Sequence, residues 1–191
     1  MAQAKTLNGQ EMQRVLDFVQ TRKYAVRDRA LVLISHLSGM RVGEIASLTV
    51  GHVVDSKGDV RNEIRLTAEQ TKGKHPRTVF VNSKLQLELI AYLQTIRTDD
   101  MTRALFPTQK NTRMGFTANT LTQHFLTIYK NAGVDGASSH SGRRTYATTI
   151  ASQGVGLRVL MRLMGHRNVS TTAVYIDAND NMLRNAVELL N

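Results

Sequence analysis

SSHSGRRTYATTIASQG, residues 138–154, places one histidine and two arginines at the start of a run of small and β-branched residues. The run predicts a helix that stops at Gly154. His140 and Arg143 are three residues apart, so in the first turn of such a helix they share one face. A helix that only packs in a core does not need cations at its beginning, whereas a phosphate site does. We therefore expect an anion-binding site at this helix start.

The charge of the chain favours a polyanionic partner. Its 191 residues include 25 Lys and Arg against 15 Asp and Glu, a formal net charge of +10, and the pI is about 10.3. Such a balance is typical of nucleic-acid-binding proteins, although a merely basic surface produces it too. Because 41% of the residues are hydrophobic, the chain can also bury a core.

The sequence excludes several classes of protein. It has no cysteine, which excludes disulfides and cysteine-based zinc sites. Apolar runs such as Ala30–Ile34 are too short to cross a membrane, and the first residues, MAQAKTLNGQEMQ, lack the apolar core of a signal peptide. We therefore expect a cytoplasmic, nucleoid-associated protein with no membrane partner.

Helical patterns fill most of the chain. Asn8 followed three residues later by Glu11 predicts a capped helix start. Apolar residues within 30–37 recur at helical spacing before Gly39, which is a stop signal. Further helices are predicted from Arg41, from Ser83 as a cap, and within the segments 117–133, 138–154, 156–166, 168–176 and 179–191.

The segment Val53–Val81 has a different character. Two extended stretches, NEIRLTAEQ and TKGKHPRTVFV, flank a basic turn that contains glycine, and this predicts a β-hairpin. The expected fold class is mainly α with a small β-sheet or hairpin (α+β). No repeat or interdomain linker interrupts the pattern, so residues 1–191 are expected to form a single domain with a helical tail at 180–191.

Six side chains at the edges of predicted elements are candidates for chemistry. One follows a helix stop, one lies in the hairpin turn, two begin the helix described first, one follows a glycine at a helix end, and one lies in AVYID. Each alone has a plainer explanation as a surface cation, a cap or a packing residue. The six are Arg41, Lys72, His140, Arg143, His166 and Tyr175.

The fragments GMRVGEIASL, TKGKHPRTVFV, HSGRRTYAT and LMGHRNVSTTAVYI, in this order, resemble the catalytic domain of the tyrosine recombinases, the phage integrase family. The resemblance covers nearly the whole chain and implies a tyrosine-recombinase catalytic fold. It matches Arg41 to the first catalytic arginine, Lys72 to the hairpin lysine, His140 and Arg143 to the His-x-x-Arg pair, His166 to a position held by His or Trp, and Tyr175 to the nucleophile.

One position departs from the family pattern. Gly142 stands between His140 and Arg143, where many members carry a larger apolar residue. The set of reactive residues is complete despite this, but a glycine is expected to loosen the beginning of the helix.

The resemblance implies a site-specific recombinase that cuts and rejoins DNA through a 3′-phosphotyrosine, with integration, excision or inversion as the outcome. Two arginines would clamp the phosphate oxygens, so neither a metal nor a cofactor is expected. His140 would act as base or proton relay, Lys72 would protonate the departing 5′-oxygen, and His166 would donate to a phosphate oxygen. Glu44 would hold Arg41 in place or form a mere surface pair.

Double-stranded DNA is the expected partner. The resemblance implies a homotetramer on DNA, a monomer or weak oligomer when free, and accessory DNA-bending proteins as further partners. The catalytic motifs begin within a few residues of Met1, so we expect a protein without an N-terminal core-binding domain, similar to the short fimbrial phase-switch invertases. The cations expected to bind backbone phosphates are Lys74, Arg77, Arg144, Arg158, Arg162 and Arg167.

Three other functions compete with recombination. A basic helical regulator could use GLRVLMRLMGH as a recognition helix, and it would need neither Tyr175 nor two clamping arginines. The chain could also be a decayed integrase fragment. A metal-dependent nuclease is disfavoured, because no Asp/Glu cluster stands beside the histidines.

The segment 181–191, NMLRNAVELLN, predicts a helix with an apolar stripe on one side. Such a stripe must be covered. Related recombinases pass a C-terminal segment to a neighbouring protomer, so we expect a tail that docks on its own core or is loosely held in the free monomer and is exchanged in a DNA-bound tetramer.

Overall fold

The computed structural model describes residues 4–109, 114–175, 183–184 and 187–188. Its two strands are β1 (Glu63–Leu66) and β2 (Arg77–Phe80). The helices are α1 (Gly9–Gln20), α2 (Ala25–Ser38), α3 (Val42–Ala46), α4 (Val50–Val53), α5 (Ser83–Leu93), α6 (Ala118–Asn131), α7 (Ser141–Ser152), α8 (Leu157–Met164) and α9 (Val169–Ala173). The predicted class, mainly helical with a small hairpin, is confirmed.

Helix α2 is the centre of the fold. Residues Ala30–Ile34 are at most 1% exposed, so this helix is buried on every side. It packs against α1, α3, α5 and α7, and its side chains join one large apolar cluster. Because α2 is fixed in this way, its C-terminal end at Gly39 offers a rigid support to whatever lies beside it.

Local signals set most helix ends. The side chain of Asn8 accepts from the Glu11 amide at 2.8 Å, and the Asn8 amide donates back to Glu11 at 3.0 Å, which confirms the predicted cap of α1. Helix α5 is capped by Asn82, so the prediction of Ser83 as the cap is wrong by one residue. Helix α4 was not predicted.

The predicted hairpin is confirmed. Strands β1 and β2 pair antiparallel, with Leu66 opposite Arg77, and the turn between them carries Lys72. Lys72 is exposed at this turn. The register turns Ile64, Leu66 and Val79 into the large apolar cluster, so the hairpin is anchored at its base and projects its basic turn outward.

A second, smaller apolar cluster joins α7 and α8. It consists of Ala147, Ala151, Leu160 and Met164, with Tyr146, Ile150 and Tyr175 packed against it. In the described part of the chain no helix combines the length and apolarity needed to span a membrane.

Most of the predicted tail lies outside the described residues. Positions 183, 184, 187 and 188 are helical, and Leu183 and Val187 are 58% and 66% exposed. The expected apolar stripe is therefore uncovered at these two positions.

Candidate active site

Arg41 begins the short helix α3 and is held by Glu44. Its backbone amide donates to one carboxylate oxygen of Glu44 at 2.7 Å, and its guanidinium donates to the other at 3.0 Å. Glu44 is 1% exposed, so the pair is not the surface pair that the sequence left open. The contact directs the arginine while a quarter of its side chain, 26%, remains accessible.

Arg77 binds the same carboxylate from the opposite side. It donates to Glu44 at 2.7 and 3.3 Å and to the carbonyl of Leu163 at 2.8 Å. The sequence groups Arg77 with cations that bind DNA phosphates, whereas the structure gives its guanidinium protein partners and leaves its side chain only 8% exposed.

The two arginines keep Glu44 ionised in a buried position. Burial would raise the pKa of Glu44, but the hydrogen bonds and charges of Arg77 and Arg41 outweigh it and hold the pKa below its usual range. The carboxylate is therefore a fixed negative charge between two cations.

Arg143 is the most enclosed of the candidate cations, with 5% exposure. Its guanidinium donates to the carbonyl of Gly39 at the end of α2, to the carbonyl of Met164 at 2.6 Å and to His166 at 3.0 Å. Burial, followed by the charges of Arg41 and Arg77, lowers its pKa to about 9, which leaves it charged at neutral pH. Arg41 and Arg143 are thus close enough for the charge of one to act on the pKa of the other.

Gly142 explains how Arg143 reaches that position. A Cβ at residue 142 would overlap the Ser35 hydroxyl and come within 3.1 Å of the Ser35 backbone. Helices α2 and α7 therefore cross at a distance that only glycine permits. The expectation that this glycine loosens the helix start is wrong, because α7 begins at Ser141 and residues 141–143 are buried.

His166 links the end of α8 to α9. Its Nε2 accepts from Arg143, so Nδ1 carries the proton and donates to the hydroxyl of Thr172 at 2.9 Å. Partial burial, followed by the charges of Arg143 and Arg41, lowers the pKa of His166 to about 4. The ring is therefore neutral at pH 7, with its orientation fixed by one contact on each side.

Tyr175 lies just beyond α9, beside His166. The two rings stack with centroids 6.2 Å apart, and the guanidinium of Arg144 lies 5.8 Å from the tyrosine ring. Tyr175 is half-buried and packs on the small cluster of α7 and α8. The ring of Tyr175 is thus held between His166 and Arg144.

His140 is the residue directly before α7. It is exposed on its outer side, yet partial loss of solvent and the charges of Arg143 and Arg41 lower its pKa. Lys72, on the hairpin turn, acts on the pKa of His140 in the same direction.

A basic groove of about 880 Å³ runs between the hairpin and α8 and opens onto the site. Arg162 and Arg167, both exposed and both predicted to bind phosphates, line it together with His75. Lys74 and Arg158 are also exposed, whereas Arg144 is half-buried against Tyr175. The groove is wide enough to make several of these cations accessible to one polyanion.

The structure joins Arg143 to His166 and His166 to Tyr175 through direct contacts, and Arg41 lines the same groove as His166. His140 is exposed directly before α7, and Lys72 is exposed on the hairpin turn. Sequence reasoning missed Thr172 and the bridging contacts of Arg77. The signal for Thr172 was its place in NVSTTAVYI, on the face three residues before Tyr175. Among the described residues, no group of three or more His, Asp or Glu side chains could hold a metal ion.

Comparison with known protein families matches residues 5–182 to the phage integrase family. The chain belongs to that family. Among known phage integrase relatives, it is 27% identical over 187 residues to the tyrosine recombinase XerA of Pyrococcus furiosus, covering 98% of this chain and 62% of the relative. It is 31% identical over 150 residues to the tyrosine recombinase XerD of Pseudomonas putida, covering 78% of this chain and 49% of the relative. The chain thus spans about half to three fifths of the length of these two relatives.

Solved structures of phage integrase relatives have the same fold. The crystal structure of XerA recombinase has a TM-score of 0.75 at 25% identity and covers 100% of this chain and 66% of that one. The Tn1549 transposon integrase in complex with a circular intermediate DNA has a TM-score of 0.77 at 18% identity, covering 100% and 67%. The second likeness concerns the fold alone.

Proposed function

We propose that this chain is the catalytic domain of a site-specific tyrosine recombinase that cuts and rejoins double-stranded DNA through a 3′-phosphotyrosine. The observation that carries the proposal is the series of contacts from Arg143 to His166 and from His166 to Tyr175, with Arg41 lining the same groove as His166. These residues come from the ends of different helices, so separate roles as surface cations, caps or packing residues do not explain why they lie together.

The first step is binding of the scissile phosphate. Arg41 and Arg143 donate to its non-bridging oxygens, and both forks are held in place before DNA arrives. Charge that develops on the pentavalent phosphorus is stabilised by donors that need not reorganise. The mutual repulsion of the two guanidiniums is relieved by the dianionic transition state.

The second step is attack by the hydroxyl oxygen of Tyr175 on phosphorus. A P–O bond to tyrosine forms and the bond to the 5′-oxygen breaks. His140, kept neutral by its lowered pKa, accepts the phenolic proton. Lys72 gives a proton to the departing 5′-oxygen, so the products are a 3′-phosphotyrosine and a free 5′-hydroxyl.

The third step is the reverse reaction on a new partner. The 5′-hydroxyl of another strand attacks the phosphotyrosine, the P–O bond to Tyr175 breaks, and the DNA is rejoined. Because the phosphodiester is exchanged for a bond of similar energy, the reaction needs neither ATP nor a cofactor. Integration, excision and inversion all follow from this chemistry.

We infer that the groove cations Arg162 and Arg167, with Lys74 and Arg158, bind the DNA backbone around the scissile phosphate. Binding should therefore be strongly salt-dependent, falling by orders of magnitude between low and physiological salt. A tight complex whose affinity is unchanged between these salt concentrations would contradict this inference.

We further infer that four protomers act together on two DNA duplexes, and that the tail passes between them. The exposure of Leu183 and Val187 supports a tail whose apolar stripe can be covered by a neighbouring protomer. Removal of residues 181–191 should leave DNA binding intact and reduce cooperative assembly and recombination. The proposed substrate also implies action in the cytoplasm, at the nucleoid, and is compatible with accessory DNA-bending proteins.

A nicked suicide DNA tests the central proposal. Cleavage next to the nick releases a short fragment that cannot religate, so the protein should be trapped as a denaturant-resistant adduct without added metal. Tyr175→Phe should bind DNA with unchanged affinity and form no adduct. The matched control is Tyr24→Phe at the far end of α2, which should form adduct at the normal rate.

Two outcomes would reject the proposal. Retained adduct in Tyr175→Phe would move the nucleophile elsewhere. DNA binding by the wild-type chain without any adduct would favour a non-catalytic regulator or a decayed fragment.

A further inference from the structure

Arg77 connects three parts of the site that the sequence keeps apart. It belongs to strand β2, it donates to Glu44 beside Arg41, and it donates to the Leu163 carbonyl at the end of α8. All three nitrogen groups of its fork have protein acceptors. With three of its N–H groups engaged by the protein and only 8% of its side chain exposed, Arg77 is better suited to hold other groups in place than to bind a phosphate.

The surroundings of Arg77 are built to enclose it. Gly165 has a φ of +60°, and a Cβ on it would lie 2.5 Å from the Cδ of Arg77. Glycine is therefore required at 165 for its backbone conformation and for the space that Arg77 occupies. His166 follows directly, so the path of the chain into His166 runs over the arginine's side chain.

At its first end, Arg77 controls how strongly Glu44 holds Arg41. Each carboxylate oxygen of Glu44 accepts one bond from Arg41 and one from Arg77. Without Arg77, a buried and ionised carboxylate would have Arg41 as its sole ion-pair partner. Its attraction would then draw the Arg41 fork inward and away from the phosphate.

At its second end, Arg77 fixes the last turn of α8. It binds the carbonyl of Leu163 at 2.8 Å, while Arg143 binds the next carbonyl, that of Met164, at 2.6 Å. Carbonyls at a helix C-terminus have no partner within the helix, and cations stabilise them. Two arginines on successive carbonyls therefore define where the chain turns into His166.

We propose that Arg77 is a positioning residue of the active site, which sets Arg41 through Glu44 and His166 through the end of α8, and that it is not a contact to the DNA backbone. This inference rests on the proposed recombinase function. It predicts a loss in the cleavage step with little change in DNA affinity.

The test compares Arg77→Met with the wild type on the nicked suicide DNA. Cleavage at saturating DNA should fall about 10²-fold, the cost expected for reacting groups displaced by about 1 Å. The dissociation constant should change less than about threefold, and the salt dependence of binding should be unchanged. Loss of a phosphate contact would instead weaken binding and lower the salt slope by about one, with normal cleavage at saturation; that result would overturn the inference.

Arg29→Met is the matched control. Arg29 also forms a two-bond pair with a glutamate, Glu88, at 2.6 and 2.7 Å, but this pair joins α2 to α5 away from the site. Its removal should leave cleavage within about threefold of wild type. Equal losses in both variants would mean that Arg77 acts only through general stability.

A second variant keeps the test valid if Arg77→Met does not fold with an unpaired buried carboxylate. Glu44→Gln removes that charge, so Arg77→Met is also measured in this background. In this background the route from Arg77 through Glu44 no longer exists, so the further loss of cleavage caused by Arg77→Met should be clearly smaller than 10²-fold. Arg77→Lys in the wild-type background should have an intermediate cleavage rate, because an ammonium cannot span both Glu44 and the Leu163 carbonyl. Fully multiplicative losses would overturn the route through Glu44.

The outcomes distinguish failure of the proposed function from failure of the inference about Arg77. If the wild type forms no adduct, the proposed function fails. If the wild type forms adduct and Arg77→Met cleaves at the wild-type rate, this inference fails while the proposed function stands.

Discussion

The site rests on two apolar clusters of very different size. The large one surrounds α2, against which α3 and α7 pack. The small one consists of four buried side chains from α7 and α8, with Tyr175 at its edge. The groups proposed to bind phosphate are therefore anchored mainly on the large cluster, and the proposed nucleophile on the small one.

This difference separates two tasks of the site. A phosphate clamp must be rigid, because its value lies in donors that are already in place. A nucleophile that attacks and is later released can be held by fewer contacts, since segments that move are drawn from the less stable parts of a fold. The site thus has two halves, one on the large cluster and one on the small cluster. Arg143 contacts both, because it binds Gly39 on one side and Met164 and His166 on the other.

The largest effect is expected from Arg143→Lys, which removes the link between the two halves. A lysine keeps the charge but cannot reach both carbonyls and His166. Adduct formation on suicide DNA should fall about 10³-fold, while circular dichroism should still report a folded domain. The control is Arg14→Lys on the exposed face of α1, and a loss below about tenfold in Arg143→Lys would contradict the clamp.

The next effect tests the large cluster itself. Gly142→Leu would force side-chain atoms into the Ser35 backbone where α2 and α7 cross. The free energy of unfolding, measured with urea, should fall by about 3 kcal/mol, the upper range for overpacking. Gly9→Ala is the control, because nothing lies within 4 Å of a Cβ there. A variant as stable as wild type would mean that the two helices can move apart freely.

A smaller effect is expected from Thr172→Val, which tests the part of the site that rests on the small cluster. It removes the acceptor that fixes His166 through Nδ1 and leaves the shape of the side chain nearly unchanged. Losses of about 10- to 100-fold accompany removal of such orienting contacts at metal-bound histidines, and we expect the lower end for cleavage here. Thr171→Val, its exposed neighbour, should cleave normally; equal rates in both variants would contradict the role of Thr172.

The smallest effect is a pH dependence of stability. The pKa of His166 is 6.5 in an unfolded chain and about 4 in the folded one. Between these values the unfolded chain binds more protons, so stability is full above pH 6.5 and falls as pH drops towards 4. His166→Gln removes this contribution, and its melting temperature should fall a few degrees less than that of wild type between pH 7 and 4.5. His75→Gln is the control, and identical drops in His166→Gln and wild type would contradict the shift.

Local signals explain what the sequence predicted well. The α1 cap depends on two residues three apart, the hairpin on a glycine-containing turn between extended runs, and both are read from neighbours in the chain. The candidate site residues were predicted from motifs in order, and the structure places Arg143, His166 and Tyr175 in contact.

Contacts between distant residues explain what was missed. The acceptors of Arg77 lie 33 and 86 residues away in sequence, so a basic hairpin gave no sign that this arginine is enclosed. Gly142 was missed for a similar reason. Glycine is needed there because of the close approach of Ser35, which lies on α2 and is brought against α7 only by the tertiary fold. Asn82 competes with Ser83 for the same cap, and both residue types cap helices well.

The crossing of α2 and α7 also restricts how segments can be exchanged between relatives. A His-x-x-Arg motif with a large residue in the place of Gly142 cannot be transplanted into this chain by itself. Shortening Ser35 would not be enough, because the backbone carbon of residue 35 is also only 3.1 Å from the added Cβ. The motif and the helix it leans on must be inherited together, so positions 35 and 142 should change in concert in any functional chimera.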